Sequence, residues 1–246
     1  MPDTNLSPQV SGPCLFWGII SLLLSLTGCS NGEVITKRYE LPRNLQTLTV
    51  YNNLDVQLVQ DTEYYAEVQA GEKVADAIKL DVEGSHLTLR NTSSYNWTRS
   101  YDTPRRITLH LPRISNVFQR GYGLLSSAGE FRQDTMFLHL VGAGNIDLTL
   151  NGTYLNTDMF ELGDMTLRGQ LEELVLEVGG NGRLFADGLQ TRRCFFRTTR
   201  DSNGDAYVRA TDAVIGTVAG KGTFYYSGNP PNTGIQVTGK GRVVRR

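Results

Sequence analysis

The sequence has almost no net charge and few cysteines, and both shortages exclude classes of protein. It holds 24 Lys and Arg against 25 Asp and Glu, a formal net charge of −1 at pH 7. A neutral surface gives no basis for nucleic-acid binding. Of the three cysteines, Cys14 and Cys29 fall in the N-terminal leader described below. Cys194 alone remains for a folded body, which excludes an intramolecular disulfide there and predicts a small buried residue.

The residues that most enzymes and metalloproteins use are also scarce. The three histidines, His86, His110 and His139, lie far apart and show no zinc-ligand spacing. No Gly-x-Ser-x-Gly elbow occurs, and no Gly-x-Gly-x-x-Gly opens a helix. We therefore predict that the protein has no catalytic residues, binds no metal and no cofactor, and is not an enzyme.

Long hydrophobic runs are missing as well, apart from one near the start. Leu15 to Leu26 is apolar, too short to cross a bilayer but right for a signal-peptide core. Leu26-Thr27-Gly28-Cys29 follows directly and resembles a bacterial lipobox. We predict a lipoprotein signal peptide over residues 1–28, lipidation of Cys29, and a tether over residues 29–38.

Two features of the N-terminal residues bear on the prediction of a lipoprotein signal peptide. Asp3 precedes the apolar run and no Lys or Arg does, which departs from the usual positive start; the true start can therefore differ from Met1. The alternative to lipidation is a chance cysteine in an uncleaved anchor. Ser30 after the cysteine favours the outer membrane as the location, with the membrane as a partner through the N-terminal lipid.

Glycine is plentiful, with 26 residues, and much of it recurs at a fixed period. Seven short turns end in Gly123, Gly144, Gly163, Gly182, Gly204, Gly222 and Gly241, at spacings of 18 to 22 residues. A period near 20 is typical of repeat architectures. We expect glycine at these corners because it accepts a positive φ without a Cβ clash.

Apolar residues keep the same period as the glycines. Two places after the anchor glycine come Leu125, Ile146, Met165, Leu184, Ala206, Phe224 and Val243. A second column, four places before it, holds Leu140, Met159, Val178, Val218 and Val237, and is broken by Arg200, where we predict a bulge or small outward loop. Alternation with polar residues indicates strands with one buried face, and stacked coils bury one another.

The N-terminal part is irregular but also rich in strands. Leu45–Val50, Leu54–Val59, Tyr64–Ala70 and Arg106–Leu111 alternate, and residues 81–89 predict a hairpin with its turn at Glu83-Gly84-Ser85. We therefore divide the body into a strand-rich part, 39–115, and a repeat part, 116–246. We expect the first to cover the open end of the second.

Several segments occur in a fixed order along the chain: the lipobox, the Gly84–Leu89 hairpin, the Ile107–Pro112 strand, the Gly-x-Gly rungs and the closing Phe224–Pro230 segment. In this order, and over residues 40–245, the sequence resembles a bacterial family of unknown function described as a putative auto-transporter adhesin, head GIN domain. The resemblance implies an all-β fold, a right-handed parallel β-helix of short rungs forming one domain over 39–246. It supplies no catalytic residues.

Aromatic side chains are the best indication of a binding site. Tyr95, Trp97 and Tyr101 share one polar loop, and Tyr207 and Tyr225 occupy outward positions of successive rungs. Aromatic rings can stack on sugars, so these five are candidate ligand contacts. Packing of the loop against the N-terminal part is the alternative for the first three.

These observations favour a cell-envelope lipoprotein with a non-enzymatic binding or adhesion role toward a glycan, an envelope component or a protein. One alternative is a polysaccharide lyase or hydrolase, which would need Asp164, Asp205 or Arg183 at reacting distance in a groove. Another is a structural scaffold of an envelope complex. The oligomeric state is open.

Overall fold

The computed structural model describes residues 33–93 and 104–246, and nearly all of them lie in strands. The elements are β1 (Val34–Glu40), β2 (Thr47–Val50), β3 (Asp55–Gln60), β4 (Tyr65–Gly71), α1 (Glu72–Ala75), β5 (Ile78–Glu83), β6 (His86–Asn91), β7 (Arg105–Leu111), β8 (Asn116–Gln119), β9 (Leu124–Arg132), β10 (Thr135–Leu140), β11 (Asn145–Met159), β12 (Met165–Val178), β13 (Leu184–Thr198), β14 (Ala206–Val218), β15 (Thr223–Ser227), β16 (Asn232–Val237) and β17 (Arg242–Arg245).

The strands form a solenoid of about six stacked parallel coils with two broad faces. The front face contains β7, β3, β9, the first halves of β11–β14, then β15 and β17. The back face contains β6, β2, β8, β10, the second halves of β11–β14, and β16. Each Gly-x-Gly turn carries the chain from the back face to the front face. The predicted parallel β-helix is confirmed.

The predicted apolar column of the front face is a single file in the structure. Strand register places Leu125 opposite Ile146, Ile146 opposite Met165, and Met165 opposite Leu184. The file continues through Ala206 and Phe224 to Val243. All but Val243 are buried. Residues about 20 apart therefore share one interior, as the sequence predicts.

The back-face column differs from the prediction at two places. Thr198, not Arg200, stands opposite Val178 and Val218, because the small outward turn at Arg200 and Asp201 adds its extra residues after the strand. The Thr198 hydroxyl is buried and accepts hydrogen bonds from the backbone N–H groups of Ala219 (3.0 Å) and Gly220 (3.2 Å). Val237 is 49% exposed, because the last coil has no further described coil packed on its outer side.

The anchor glycines are needed for a different reason from the one expected. Among the described glycines only Gly84, Gly169 and Gly228 have a positive φ, and none of these is an anchor. A Cβ at Gly163 would instead collide with the carbonyl oxygen of Gly144, and a Cβ at Gly182 with that of Gly163. Close approach of consecutive backbones, rather than a left-handed conformation, therefore selects glycine at these corners.

The N-terminal strands continue the sheet toward lower residue numbers. β2 and β3 pair in parallel with β8 and β9, so they add to the same two faces. β5 and β6 form the predicted antiparallel hairpin, with Gly84 at φ 62° in its turn. β4 runs antiparallel to β7, and β1 antiparallel to β4. The division of the body into a strand-rich part, 39–115, and a repeat part, 116–246, stays a prediction.

Candidate functional site

The front face carries a short ladder of aromatic side chains on its outer surface. Phe185, Tyr207 and Tyr225 stand opposite one another in β13, β14 and β15. The ring centroids of Phe185 and Tyr207 are 5.5 Å apart at 9°, and those of Tyr207 and Tyr225 are 4.5 Å apart at 0°. We call these three residues the aromatic ladder. Tight coil stacking produces it, because outward positions of parallel strands repeat at roughly 4.8 Å.

The rings of the ladder cover one another's faces, which determines what a ligand can reach. Parallel rings at these distances leave the ring edges and the two phenol groups toward solvent, rather than a flat platform. Burial raises the pKa of the Tyr207 phenol above its usual value, and the Asp205 and Tyr225 groups add to this effect. The phenol is therefore neutral at physiological pH and can both donate and accept a hydrogen bond.

A shallow groove of about 260 Å³ lies beside Tyr207 and Tyr225. Arg246 and Asp187 contribute one cation and one anion to its lining, and Ser227 adds a hydroxyl. The Arg246 guanidinium carbon lies 5.4 Å from the Tyr207 ring centroid and 5.6 Å from that of Tyr225. Such distances permit a cation–π attraction that holds the side chain over the ladder.

The groove contains two charged groups, the Asp187 carboxylate and the Arg246 guanidinium. Neither the Asp187 carboxylate nor the Arg246 guanidinium forms an ion pair or a side-chain hydrogen bond within residues 33–93 and 104–246. Other charges of the front face form ion pairs: Arg183 contacts Asp164 at 2.8 Å, and Arg168 contacts Asp147. The groove thus combines aromatic edges, hydroxyls, an acceptor carboxylate and a donor guanidinium.

Asp164 and Asp205, two acids that a polysaccharide-cleaving enzyme would need in a groove, instead form hydrogen bonds to the backbone at the corner turns. The Asp164 carboxylate accepts a hydrogen bond from the Arg183 backbone N–H (2.8 Å), and Asp205 accepts one from Thr223 N–H (2.7 Å). Asn145 and Asp55 accept in the same way from Asp164 and Leu124, at 2.9 Å each. These side chains form a capping row that links successive coils.

The structure describes some of the site residues predicted from the sequence and not others. Tyr207 and Tyr225 lie together in the ladder, whereas Tyr95, Trp97, Tyr101 and Cys29 fall outside the described residues. The sequence analysis did not count Phe185, Asp187, Ser227 or Arg246 as site residues. The column period could have given Phe185, but only the folded coil brings Asp187 and Arg246 to one groove.

No helix in the described part of the chain has the length and apolar character that crossing a membrane would take. No group of three or more His, Cys, Asp or Glu side chains in it could hold a metal ion.

The geometry described above defines the class of protein as a parallel β-solenoid with glycine corners and an outer aromatic ladder. The chain belongs to the family described as "Putative auto-transporter adhesin, head GIN domain", whose model matches residues 44–230, well over half of the chain.

Solved structures with the same fold include proteins of Bacteroides and Parabacteroides species. A putative adhesin from Bacteroides fragilis is 20% identical with a TM-score of 0.80, covering 87% of this chain and 97% of its own. A putative lipid binding protein from Parabacteroides distasonis is 20% identical with a TM-score of 0.67, covering 88% and 98%. A putative adhesin from Parabacteroides merdae is 18% identical with a TM-score of 0.58, covering 88% and 97%. No curated protein matches the chain. At sequence identities of 18–20%, the similarity to these structures establishes that the fold is shared.

Proposed function

We propose that the protein is a cell-envelope lipoprotein that binds a glycan, without turning it over, through the groove beside the aromatic ladder. One observation carries this proposal: Tyr207 and Tyr225 are aligned in consecutive coils beside Asp187 and Arg246, neither of which has an ion pair among the described residues. Sugar hydroxyls donate to carboxylates and accept from guanidinium groups, and a sugar's C–H groups pack against apolar ring edges. A ligand with a repeating unit also suits a surface that repeats with every coil.

The geometry favours binding over glycan cleavage. A polysaccharide-cleaving enzyme needs carboxyl groups that can reach a substrate bond, at separations of roughly 5 to 9.5 Å. Asp164 and Asp205 instead cap backbone N–H groups of the next coil. Asp187 is the one acid among the described residues that line the groove.

The test is a glycan array probed with residues 31–246, which form one compact unit. We expect binding to at least one glycan class, and a loss of affinity of roughly tenfold or more in the double variant Tyr207→Ala/Tyr225→Ala. Tyr154→Ala is the matched control, because Tyr154 is an outward, half-buried aromatic residue on the back face, away from the groove.

Two single variants refine this test. Asp187→Ala and Arg246→Ala should weaken glycan binding and change the thermal unfolding midpoint little. Neither side chain has an ion pair to lose among residues 33–93 and 104–246, and the cation–π contact of the exposed Arg246 contributes little to stability. An array without any binding, together with co-purification of one stoichiometric partner from membranes, would favour the scaffold instead. Turnover of a glycan that Asp164→Ala abolishes would establish the enzyme.

The membrane anchor is a separate part of the proposal. The lipobox-like Leu26-Thr27-Gly28-Cys29 after an apolar run supports diacylation of Cys29, and Ser30 supports the outer membrane. Labelled palmitate should enter the wild type and not Cys29→Ser, and density fractionation of membranes should recover the wild type with outer-membrane markers. Palmitate incorporation that survives Cys29→Ser would contradict the anchor site.

A further inference from the structure

The edge formed by the Gly-x-Gly corners exposes large apolar side chains at one end. Tyr122 is 72% exposed and Leu162 is 63% exposed, both as the middle residue of a corner turn. Phe160 (42%) and Leu124 (40%) flank them. We call the corner residues 120–124, 141–145, 160–164, 179–183, 199–205, 219–223 and 238–242 the glycine edge. Four large apolar residues this exposed on one edge indicate contact with an apolar phase or partner.

The apolar residues of the glycine edge are contiguous along the solenoid. The strands that follow the turns align Leu125 with Ile146 and Ile146 with Met165. The middle residues of those turns, Tyr122, Ala143 and Leu162, therefore follow one another at roughly 4.8 Å per coil. Phe160 lies over Gly179 of the next coil, which extends the apolar surface by one more layer.

The character of the glycine edge changes toward the C-terminal coils. The middle residues become Asn181 and Asn203, joined by a side-chain hydrogen bond of 2.6 Å, and then Lys221 and Lys240. The exposed bases of the edge include Arg120, Arg200, Lys221 and Lys240, and its exposed acids include Glu161 and Asp201. Apolar and aromatic residues beside lysines and arginines are the composition of surfaces that lie on anionic bilayers.

The chain also enters the fold on this edge. Val34 stands opposite Gly71 in β4, and Ala70 stands opposite Arg105 in β7. β7 pairs with β3, and β3 with β9, so the start of β1 lies in the same row as Tyr122, four strands away. Val34 is itself 45% exposed. The entry point of the chain and the apolar corners thus face the same side.

Cys29 stands four positions before Glu33 in the sequence. Four residues span at most roughly 14 Å when fully extended. A lipid on Cys29 would therefore hold the start of β1, and with it the side of the body that carries the apolar corners, close to the bilayer surface. A body held this close buries apolar side chains at the interface in preference to leaving them in water.

We propose that the glycine edge is a membrane-contacting surface, with Tyr122, Phe160 and Leu162 inserted at the headgroup level of the bilayer that holds the lipid anchor. This inference rests on the proposed lipidation of Cys29 and is independent of the glycan groove. Because the edge runs along the solenoid axis, the solenoid lies along the membrane and both faces stand away from it. The groove beside Tyr207 and Tyr225 then stays open to ligands.

The experiment places an environment-sensitive label on the edge of the acylated, full-length processed protein. Leu162→Cys and Tyr122→Cys, each labelled with an NBD fluorophore, are reconstituted in vesicles of phosphatidylethanolamine and phosphatidylglycerol that contain nitroxide-labelled lipid. Ile215→Cys is the matched control, because Ile215 is 42% exposed on the back face. Cys29 carries the lipid, and the Cys194 thiol is buried with its pKa raised to about 12, so the label reaches the introduced cysteine alone.

We expect a blue shift and loss of NBD emission at positions 122 and 162, and neither change at position 215. Equal emission at all three positions in vesicle-bound protein overturns the membrane-contacting edge and leaves the anchor and the glycan groove standing. A blue shift that follows protein concentration in the absence of vesicles overturns it in favour of a second copy. Protein that does not stay on the vesicles overturns both the anchor and the edge.

Discussion

At the scale of single residues, the anchor glycines set how closely the coils can stack. The Gly163 backbone lies beneath Gly182, and that of Gly144 beneath Gly163, with no room for a methyl group between them. Neither glycine has a positive φ, so conformational freedom is not what these positions require. A β-branched or even an alanine side chain must push two coils apart locally, which strains the hydrogen bonds on both sides of the corner.

We predict that Gly182→Ala destabilises the protein by about 3 kcal/mol or more, at the upper end of overpacking costs, because its Cβ would meet a backbone oxygen that cannot move alone. Urea unfolding followed by circular dichroism measures this. Gly129→Ala is the matched control, since a Cβ there meets nothing within 4 Å. Equal midpoints for the two variants would show that close approach is not what selects glycine at the anchor.

A second prediction at this scale concerns the thiol of Cys194. The side chain is fully buried in β13, and burial raises its pKa to about 12. We expect no reaction with Ellman's reagent at pH 8 in the folded protein, and one thiol per acylated chain after denaturation in urea. Rapid reaction in the folded state would place this thiol at the surface and contradict the interior packing of β13.

At the scale of elements, the capping row converts polar residues into links between coils. Asp55, Asn145, Asp164 and Asp205 each accept a hydrogen bond from a backbone N–H of a neighbouring coil. These N–H groups lie at corners, where the regular ladder of strand hydrogen bonds is interrupted. A short side chain with a carboxylate or amide oxygen satisfies them, which explains why Asp and Asn recur directly after the anchor glycines.

We predict that Asp164→Ala costs about 1 kcal/mol, because the Arg183 N–H loses its acceptor and the exposed ion pair with Arg183 adds little. Asp164→Asn should cost less, since its amide oxygen can still accept that hydrogen bond. Thermal unfolding of the two variants against wild type makes the comparison. Equal losses for Asn and Ala would show that the charge, not the cap, stabilises this corner, because both variants remove the charge and Asn alone keeps the acceptor.

At the scale of the whole molecule, the coils differ in how well they are covered. The interior coils have neighbours on both sides, and alternate residues of β12 and β13 are buried. β16 and β17 are mostly exposed and pair on one side only, with β14 and β15. Stability in a stacked array is the sum of coil and neighbour terms, so the last described coil has the smallest share.

Hydrogen exchange should therefore proceed from the last coil inward. We predict that amides of residues 232–245 exchange first, at opening free energies well below that of global unfolding, and that amides of β12 and β13 exchange last. Mass-spectrometric exchange on the native protein measures the order. Simultaneous exchange of both regions would indicate one cooperative unit and contradict the additive description.

The repeat, the buried front-face file and the outward placement of Tyr207 and Tyr225 were all predictable from the order of residues alone. They were predictable because a parallel coil repeats its side-chain directions with every turn, so a period near 20 residues carries the register. The sequence also indicated an irregular corner at Arg200. It did not show that Thr198 takes the place in the buried column, because the spacing gives the length of an insertion but not its position relative to the end of the strand.

The reason for glycine at the anchors and the surroundings of the aromatic ladder became clear from the folded coils. The distance between the backbones of consecutive coils is set by how whole coils stack, and the conformational propensities of single residues do not indicate it. Asp187 and Arg246 are 59 positions apart in the sequence and meet because two coils and the chain's last residues converge on one groove. The exposure of Tyr122 and Leu162 on one shared edge was likewise not predictable, because the burial of a side chain depends on neighbours that are brought together by folding.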